Sequence, residues 1–334
     1  MRRRIWSETL PYEKVRDPGV LARLRRHGVG LLLAVRPDDR AGVRDVVAAC
    51  ADAGVDIGIW PMIADARGRW ANAKNAAEFC AFVLEVVDAL GPGVPGEVVV
   101  DLEPAIDDVR ALLDGARGAG RLIASSSDRD AFADASKRYG ALANELRARA
   151  IRATAVAVPL VLLGGEWEQL MGTPVSAPGW DSVATMLYSS ILEGWSRGLL
   201  KRDDAVAILA AGCRTSAAKF GPRAGVALGA VGVGAFGDEP VYRDASELAR
   251  DVGIARACGV EDLTLFDLGG VLARAPAESW LTAFVETPAA RDIPGETLRG
   301  RAVLSLAGLT AASVRALLPL LRRYARTGAS EGSR

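Results

Sequence analysis

His27-Gly28-Val29-Gly30-Leu31-Leu32-Leu33-Ala34-Val35 joins the end of an amphipathic helical pattern, through one glycine, to a continuous apolar run. Glycine just past a helix takes the left-handed conformation that stops it, and a short turn returns the chain to a sheet. The same beat of small residue, glycine and valine recurs at Ala53-Gly54-Val55, Ala224-Gly225-Val226 and Cys258-Gly259-Val260. Strand-after-helix order repeated along a chain predicts parallel βα units.

Counting outward from these junctions, strands are expected at Arg4–Trp6, Gly30–Val35, Ile57–Met62, Val98–Leu102, Thr154–Leu162, Val183–Tyr188, Val226–Val233 and Leu263–Phe266. Eight such strands close an α/β barrel of the (β/α)8 (TIM) type, and 334 residues suit one such domain. An open doubly wound sheet is the competing architecture, but the G-x-G-x-x-G fingerprint of its first βα turn is missing. The connection from the fourth to the fifth strand is long, with helical patterns at Ala105–Ala116 and Arg129–Arg149 and room for a short strand at Arg121–Ser125. The barrel domain is expected over 1–286. A helical extension over 287–326 follows, with a helix from Ala311 to Ala325, and then a disordered tail, Thr327–Arg334.

Composition narrows the chemistry. Half of the residues are hydrophobic but only 6% are aromatic, so the core rests on Ala, Val and Leu, as doubly covered parallel strands require. Lys plus Arg equals Asp plus Glu at 41 each, which argues against a nucleic-acid surface, and the Arg2-Arg3-Arg4 run reads as a solvated terminus. No apolar stretch reaches the roughly 18 residues of a membrane span, and no signal-peptide pattern precedes Glu8, so a cytoplasmic location is expected. Cys50, Cys80, Cys213 and Cys258 follow neither a zinc nor a disulfide pattern and read as small buried hydrophobes. The single histidine, His27, reads as a helix end, which leaves little room for histidine triads or His-rich metal sites. No metal and no cofactor is implied.

Reacting groups of this fold project from strand C-termini. The fourth strand, Glu97-Val98-Val99-Val100-Asp101-Leu102-Glu103-Pro104, delivers Asp101 and Glu103 together, because residues two apart share a side of a strand. Carboxylates so close repel as anions, and one stays protonated near neutral pH, the equipment for general acid catalysis on a glycosidic oxygen. The competing reading has Asp101 cap the next helix and Glu103 pair with an arginine such as Arg36. Tyr188 ends the sixth strand and is placed to orient a substrate acyl group or to pack under a loop. Asp267, closing the eighth, is a second catalytic or sugar-binding candidate, or else a helix N-cap. Trp6 and Glu8 from the first strand, Trp60 from the third with Asp65 and Trp70 beyond it, Glu166 and Trp167 from the fifth, and Met186 on the sixth complete the expected substrate surface, tryptophans offering stacking faces to sugar rings.

At these residues the chain resembles TIM-barrel glycoside hydrolases, most closely the chitinase-like family 18, whose fourth-strand signature is D-x-x-D-x-D-x-E. Asp101-Leu102-Glu103 matches its end, while Gly96 and Val99 stand where the earlier aspartates would be. Met186-Leu187-Tyr188 echoes the family's M-x-Y-D/N, with Ser189 in place of the acid or amide. The floor tryptophan of the eighth strand has no counterpart near Phe266. The resemblance implies Glu103 as general acid/base, Asp101 as its partner, Tyr188 as a substrate-orienting group and a carbohydrate or glycoconjugate as substrate. Leu102-Glu103-Pro104 is also similar to the Asn-Glu-Pro of a larger barrel clan with a nucleophilic Glu on its seventh strand, a place Glu239 could take. Two further functions fit the sequence. One is a catalytically silent barrel that binds carbohydrate or protein. The other is a phosphate-handling barrel using Gly232, Gly234, Gly237, Gly269 and Gly270.

Overall fold

In the computed structural model, residues 1–92, 94–113 and 129–308 are described. Eight parallel strands form one closed barrel in sequence order. They are β1 (Arg2–Ser7), β2 (Gly30–Val35), β3 (Ile57–Pro61), β4 (Glu97–Leu102), β5 (Arg152–Ala157), β6 (Ser182–Met186), β7 (Ala224–Gly229) and β8 (Asp262–Phe266). The chain is a (β/α)8 barrel. Closure is made by β8 pairing with β1, Leu263 opposite Arg3 and Leu265 opposite Ile5.

The helices around it are α1 (Pro18–His27), α2 (Arg40–Ala53), α3 (Ala76–Leu90), α4 (Ile106–Leu113), α5 (Arg129–Ala148), α6 (Gly165–Met171), α7 (Ser189–Trp195), α8 (Arg202–Phe220), α9 (Ala245–Ala257), α10 (Leu268–Ala273) and α11 (Ala277–Glu286). Alternation along each strand sorts the side chains into two cores. Ile5, Leu31, Leu33, Val98, Val100 and Leu265 meet the helices, and Trp6, Leu32, Trp60, Val99, Ala184 and Phe266 fill the barrel. None of the helices among the described residues is long and apolar enough to cross a membrane.

Gly28, Gly54 and Gly259 all have positive φ (62°, 65° and 82°), as the helix-ending beat requires. Gly225 does not belong to that set. It lies inside β7, where a side chain would press on Ala184, and α8 is ended by Gly221 instead, at φ 57°. Four strands end earlier than expected, β3 at Pro61 and β6 at Met186, so that Tyr188 follows the sixth strand, and β5 and β7 by more. β5 stops at Ala157 because Pro159 starts a 3-10 turn over Pro159–Leu163, and β7 stops at Gly229. Cys50 and Cys213 are buried, whereas Cys80 and Cys258 are only half-buried.

The N-terminal arginines overturn the reading of a solvated terminus. They form β1, and Arg4 turns into the barrel's N-terminal end, only 6% of its side chain exposed, to pair with Glu97 and Asp262. The Thr154 hydroxyl donates to Glu97 as well, Arg2 reaches Glu97 at 2.9 Å, and Ser182 donates to Asp262 at 2.9 Å. This ionic plug closes the end opposite the site.

After α11 the chain continues into a helix over 298–308, and Gly300 lies over Ile208 of α8. The expected strand Arg121–Ser125, the end of the helical pattern Ala105–Ala116, the helix from Ala311 and the tail Thr327–Arg334 fall outside the described residues.

Candidate active site

The C-terminal mouth of the barrel holds a cavity of about 290 Å³. Its lining brings together Trp6, Glu8, Trp60, Asp101, Glu103, Met186 and Tyr188, all singled out in the sequence, whereas Glu166 and Asp267 stand outside it. Glu166 lies in the first turn of α6, outside the lining, and its neighbour Trp167 belongs to a separate apolar cluster with Leu170 and Met171. Asp267 caps α10, its carboxylate accepting the Gly270 N–H at 2.9 Å.

Asp101 is the penultimate residue of β4, and Glu103 follows the strand end on the same side. Their carboxyl groups hydrogen-bond each other, so one of the two carries a proton. Burial pushes Asp101 up, with Glu8 adding to it; burial followed by the Asp101 charge pushes Glu103 well above the ordinary carboxyl range. No cation among the described residues makes an ion pair with Glu103. Arg69 acts on it only at longer range. The arginine pairing falls to Glu8 instead, which Arg69 meets at 3.1 Å and Arg36 at 3.8 Å.

Even so, burial raises Glu8 to about 7, and Asp267 is raised to about 6 by burial. A carboxyl that keeps its proton in the fold, at a pH where the unfolded chain has lost it, makes stability decline as pH rises between the two pKa values. For Glu8 that window runs from about 4.5 to about 7. Glu8→Gln will therefore shrink the difference in urea midpoint between pH 5 and pH 8. An unchanged difference would mean that Glu8 is not buried as described.

The loop after β3 supplies Trp70, expected beyond the third strand, and Arg69, which the sequence reading passed over. Arg69 adopts φ 60°, a left-handed conformation uncommon outside glycine, and its guanidinium bridges Glu8 and Asp65 while lying 5.8 Å over the Trp70 ring. Trp195 at the end of α7 and Phe236 after β7 meet edge-to-face at 5.8 Å and complete the outer wall. Neither is at a strand end, which is why strand-end reading could not find them.

Glu239 also lines the cavity. Its Oε1 accepts the Phe236 N–H at 2.9 Å, and above Gly234 its carboxylate converges with that of Glu8, their oxygens 3.2 and 2.9 Å from where a side chain would start. Ser190 holds this loop: its hydroxyl accepts the Ala230 N–H and donates to the Pro240 carbonyl, both at 2.7 Å. Ser189, where family 18 carries an acid or amide, faces away from the cavity and donates to buried Asp251 of α9, which Tyr242 also meets at 2.9 Å. Tyr188 lies 5.9 Å from Phe266, and its phenol is pushed well above its usual value by burial and then by Asp101 and Glu103.

Two buried polar atoms of the lining have no hydrogen-bond partner, the Trp6 indole nitrogen and Glu239 Oε2, while the Trp60 indole faces Asp101. A donor and an acceptor left open in one cavity are complementary to a ligand that carries hydroxyl groups. No group of three or more His, Cys, Asp or Glu side chains among the described residues is placed to hold a metal ion.

The glycines after β7 and β8 do not form a phosphate cradle. Gly232 and Gly270 pack backbone to backbone, a side chain on Gly270 falling 2.3 Å from the Gly232 nitrogen, and the Gly270 N–H is already taken by Asp267. Gly270→Ala will destabilise the protein by about 1–3 kcal/mol through overpacking, measurable by chemical denaturation. Wild-type stability in that variant would show that the two loops are not in contact.

No protein-family model matches the chain, and no curated protein matches it in sequence. Solved structures do match in shape. The PgaB (BpsB) glycoside hydrolase domain from Bordetella bronchiseptica aligns with a TM-score of 0.54 at 11% identity, over 85% of this chain and 99% of that one. A GH5_18 protein from Streptomyces cattleya, solved with Manβ1-4GlcNAc, gives 0.52 at 13% over 97% and 92%. A chitinase from Chromobacterium violaceum gives 0.52 at 12% over 87% and 99%. At these identities the likeness establishes the barrel fold.

Proposed function

We propose that the chain is a glycoside hydrolase in which Glu103 is the general acid/base and Asp101 its partner. The observation that carries this reading is the Asp101–Glu103 pair, two hydrogen-bonded carboxyl groups sharing a proton at the mouth of an aromatic-lined cavity. An undissociated carboxyl near neutral pH protonates a departing glycosidic oxygen, and the ionised partner stabilises the charge that follows. Trp6, Trp60 and Trp70 offer stacking faces to a sugar, and Glu8 and Glu239 supply the carboxylates across the cavity from β4. Glycoside hydrolases among the proteins of similar shape agree with this reading, as does the open hydrogen-bonding capacity of Trp6 and Glu239.

Tyr188 faces the same carboxyl groups and takes the role of orienting the substrate. Asp267, committed to capping α10, acts on the site through its charge and by fixing the loop after β8. A panel of aryl-glycosides and oligosaccharides tests the proposal. Turnover by the wild type, lost in Glu103→Gln, supports it; binding of a sugar with no turnover of any member would instead leave a carbohydrate-binding barrel without catalysis.

A further inference from the structure

The cavity carries a patch of apolar side chains set apart from its carboxylates at Glu8 and Glu239, and the patch follows one side of the barrel. On the arc β7–β8–β1–β3 stand Glu239, Glu8, Trp6 and Trp60, with the Glu239 Oε2 and the Trp6 indole nitrogen unpartnered. On the arc β4–β5–β6, beyond Asp101, Glu103 and Tyr188, the lining carries a run of apolar side chains: Val109 of α4, Val158 and Pro159 after β5, Met186 of β6, and Ile191 and Leu192 of α7, with Trp195 at its edge. The first six are all half-buried. None of them offers a hydrogen-bond donor, and the only acceptor is a weak thioether.

A sugar ring bound against those six side chains would lose the hydration of its hydroxyls and find no replacement among them, a loss that buried polar groups are rarely made to bear. An apolar group bound there exchanges water for the side chains it matches. Asp101 and Glu103, on β4, stand at the boundary of the patch. A general acid must sit beside the bond it cleaves, so the glycosidic oxygen belongs at that boundary.

Resting on the proposed hydrolase reading, we infer that the substrate is a glycoside of an apolar aglycone, an alkyl, aryl or isoprenoid group, with the sugar among Glu8, Trp6, Trp60 and Glu239 and the aglycone against Val109, Val158, Ile191 and Leu192. The size of the cavity agrees with one sugar and a short apolar group and not with a segment of polysaccharide running through. The step is a hydrolysis: the anomeric C–O bond breaks, the aglycone oxygen takes the proton of Glu103 and leaves as an alcohol, and water supplies the hydroxyl at the anomeric carbon and returns a proton to the site.

The test measures binding without turnover. Glu103→Gln is titrated, by its tryptophan fluorescence, with methyl and hexyl glycosides of the same sugar at submicellar concentration, across a set of common hexoses and N-acetylhexosamines. Full burial gives about fourfold per methylene. With half of that free energy realised over five methylenes, the hexyl member of at least one pair should bind about thirtyfold more tightly. Leu192→Asp should reduce that ratio to within a few fold while leaving the methyl glycoside's affinity in place. Equal affinity within every pair, or no binding by any pair, overturns the inference. The parent reading is judged separately, by wild-type turnover: chain-length dependence with no hydrolysis removes the hydrolase, and hydrolysis without chain-length dependence removes the apolar aglycone.

Discussion

Glu103→Gln will lower kcat on a glycoside substrate by about 10²–10⁴, with the thermal and chemical denaturation of the protein essentially unchanged. The amide has the shape of the protonated carboxyl and keeps a donor toward Asp101, so the local packing survives. What it cannot do is release a proton to a leaving oxygen. The loss should therefore grow with the pKa of the leaving group, being smallest for dinitrophenyl glycosides, which need little protonation, and largest for alkyl glycosides. A uniform loss across leaving groups would assign Glu103 to binding, and retained activity would remove it from the mechanism. Asp101→Asn provides the complement: without the neighbouring charge Glu103 loses one of the causes that hold its proton, and the alkaline limb of the pH–rate profile moves to lower pH.

The largest stability effect is expected at the opposite end of the barrel. Glu97→Gln will destabilise the fold by about 3–5 kcal/mol, because it strips the main counter-charge from an arginine that cannot reach water. Arg4 and Glu97 have side chains 6% and 4% exposed, and Asp262 alone would remain to balance Arg4. Burial works against the Glu97 carboxylate, but Arg4, Arg2 and the Thr154 hydroxyl outweigh it and hold the group below its ordinary range. A depressed carboxyl contributes stability above its unfolded pKa and loses it as pH falls through the folded one. The gap between wild type and variant in urea unfolding should thus be full at pH 7 and narrow in strong acid. A constant gap would place the effect in packing and not in charge.

The fold was legible because its signals are local. Gly28, Gly54 and Gly259 mark helix ends by their own backbone chemistry, and the Val and Leu runs of β2 and β4 leave little choice but a strand buried on both faces. Where a local signal was ambiguous the reading slipped, as at Gly225, a strand glycine that keeps room for Ala184, and at Pro159, which turned an apolar run into a 3-10 helix. Arg4 was misread because its partners, Glu97 and Asp262, are distant in sequence, and only barrel closure brings them together.

The site was legible to the extent that strand ends carry it. Asp101, Glu103, Tyr188, Trp6, Glu8, Trp60 and Met186 meet at one cavity because each sits on or just past an inward-facing strand position. Glu166 sits on a helix after a turn whose path periodicity does not fix. Asp267 is a strand-end residue drawn into capping, a competition that the dipeptide Gly269-Gly270 after it foreshadowed. Arg69, Trp195 and Phe236 come from loops and a helix end, where spacing carries no direction.

The clasp that Ser190 makes on Ala230 and Pro240 binds the segment carrying Phe236 and Glu239 to the start of α7, which itself carries Ile191, Leu192 and Trp195. These two stretches behave as one exchangeable cassette. Grafting the β7 loop of another barrel into this one, to alter what it accepts, would have to bring along a hydroxyl at position 190 and the small residue at Gly194 that lets Pro240 lie against the helix. Transplanted singly, either half would arrive with its anchor missing.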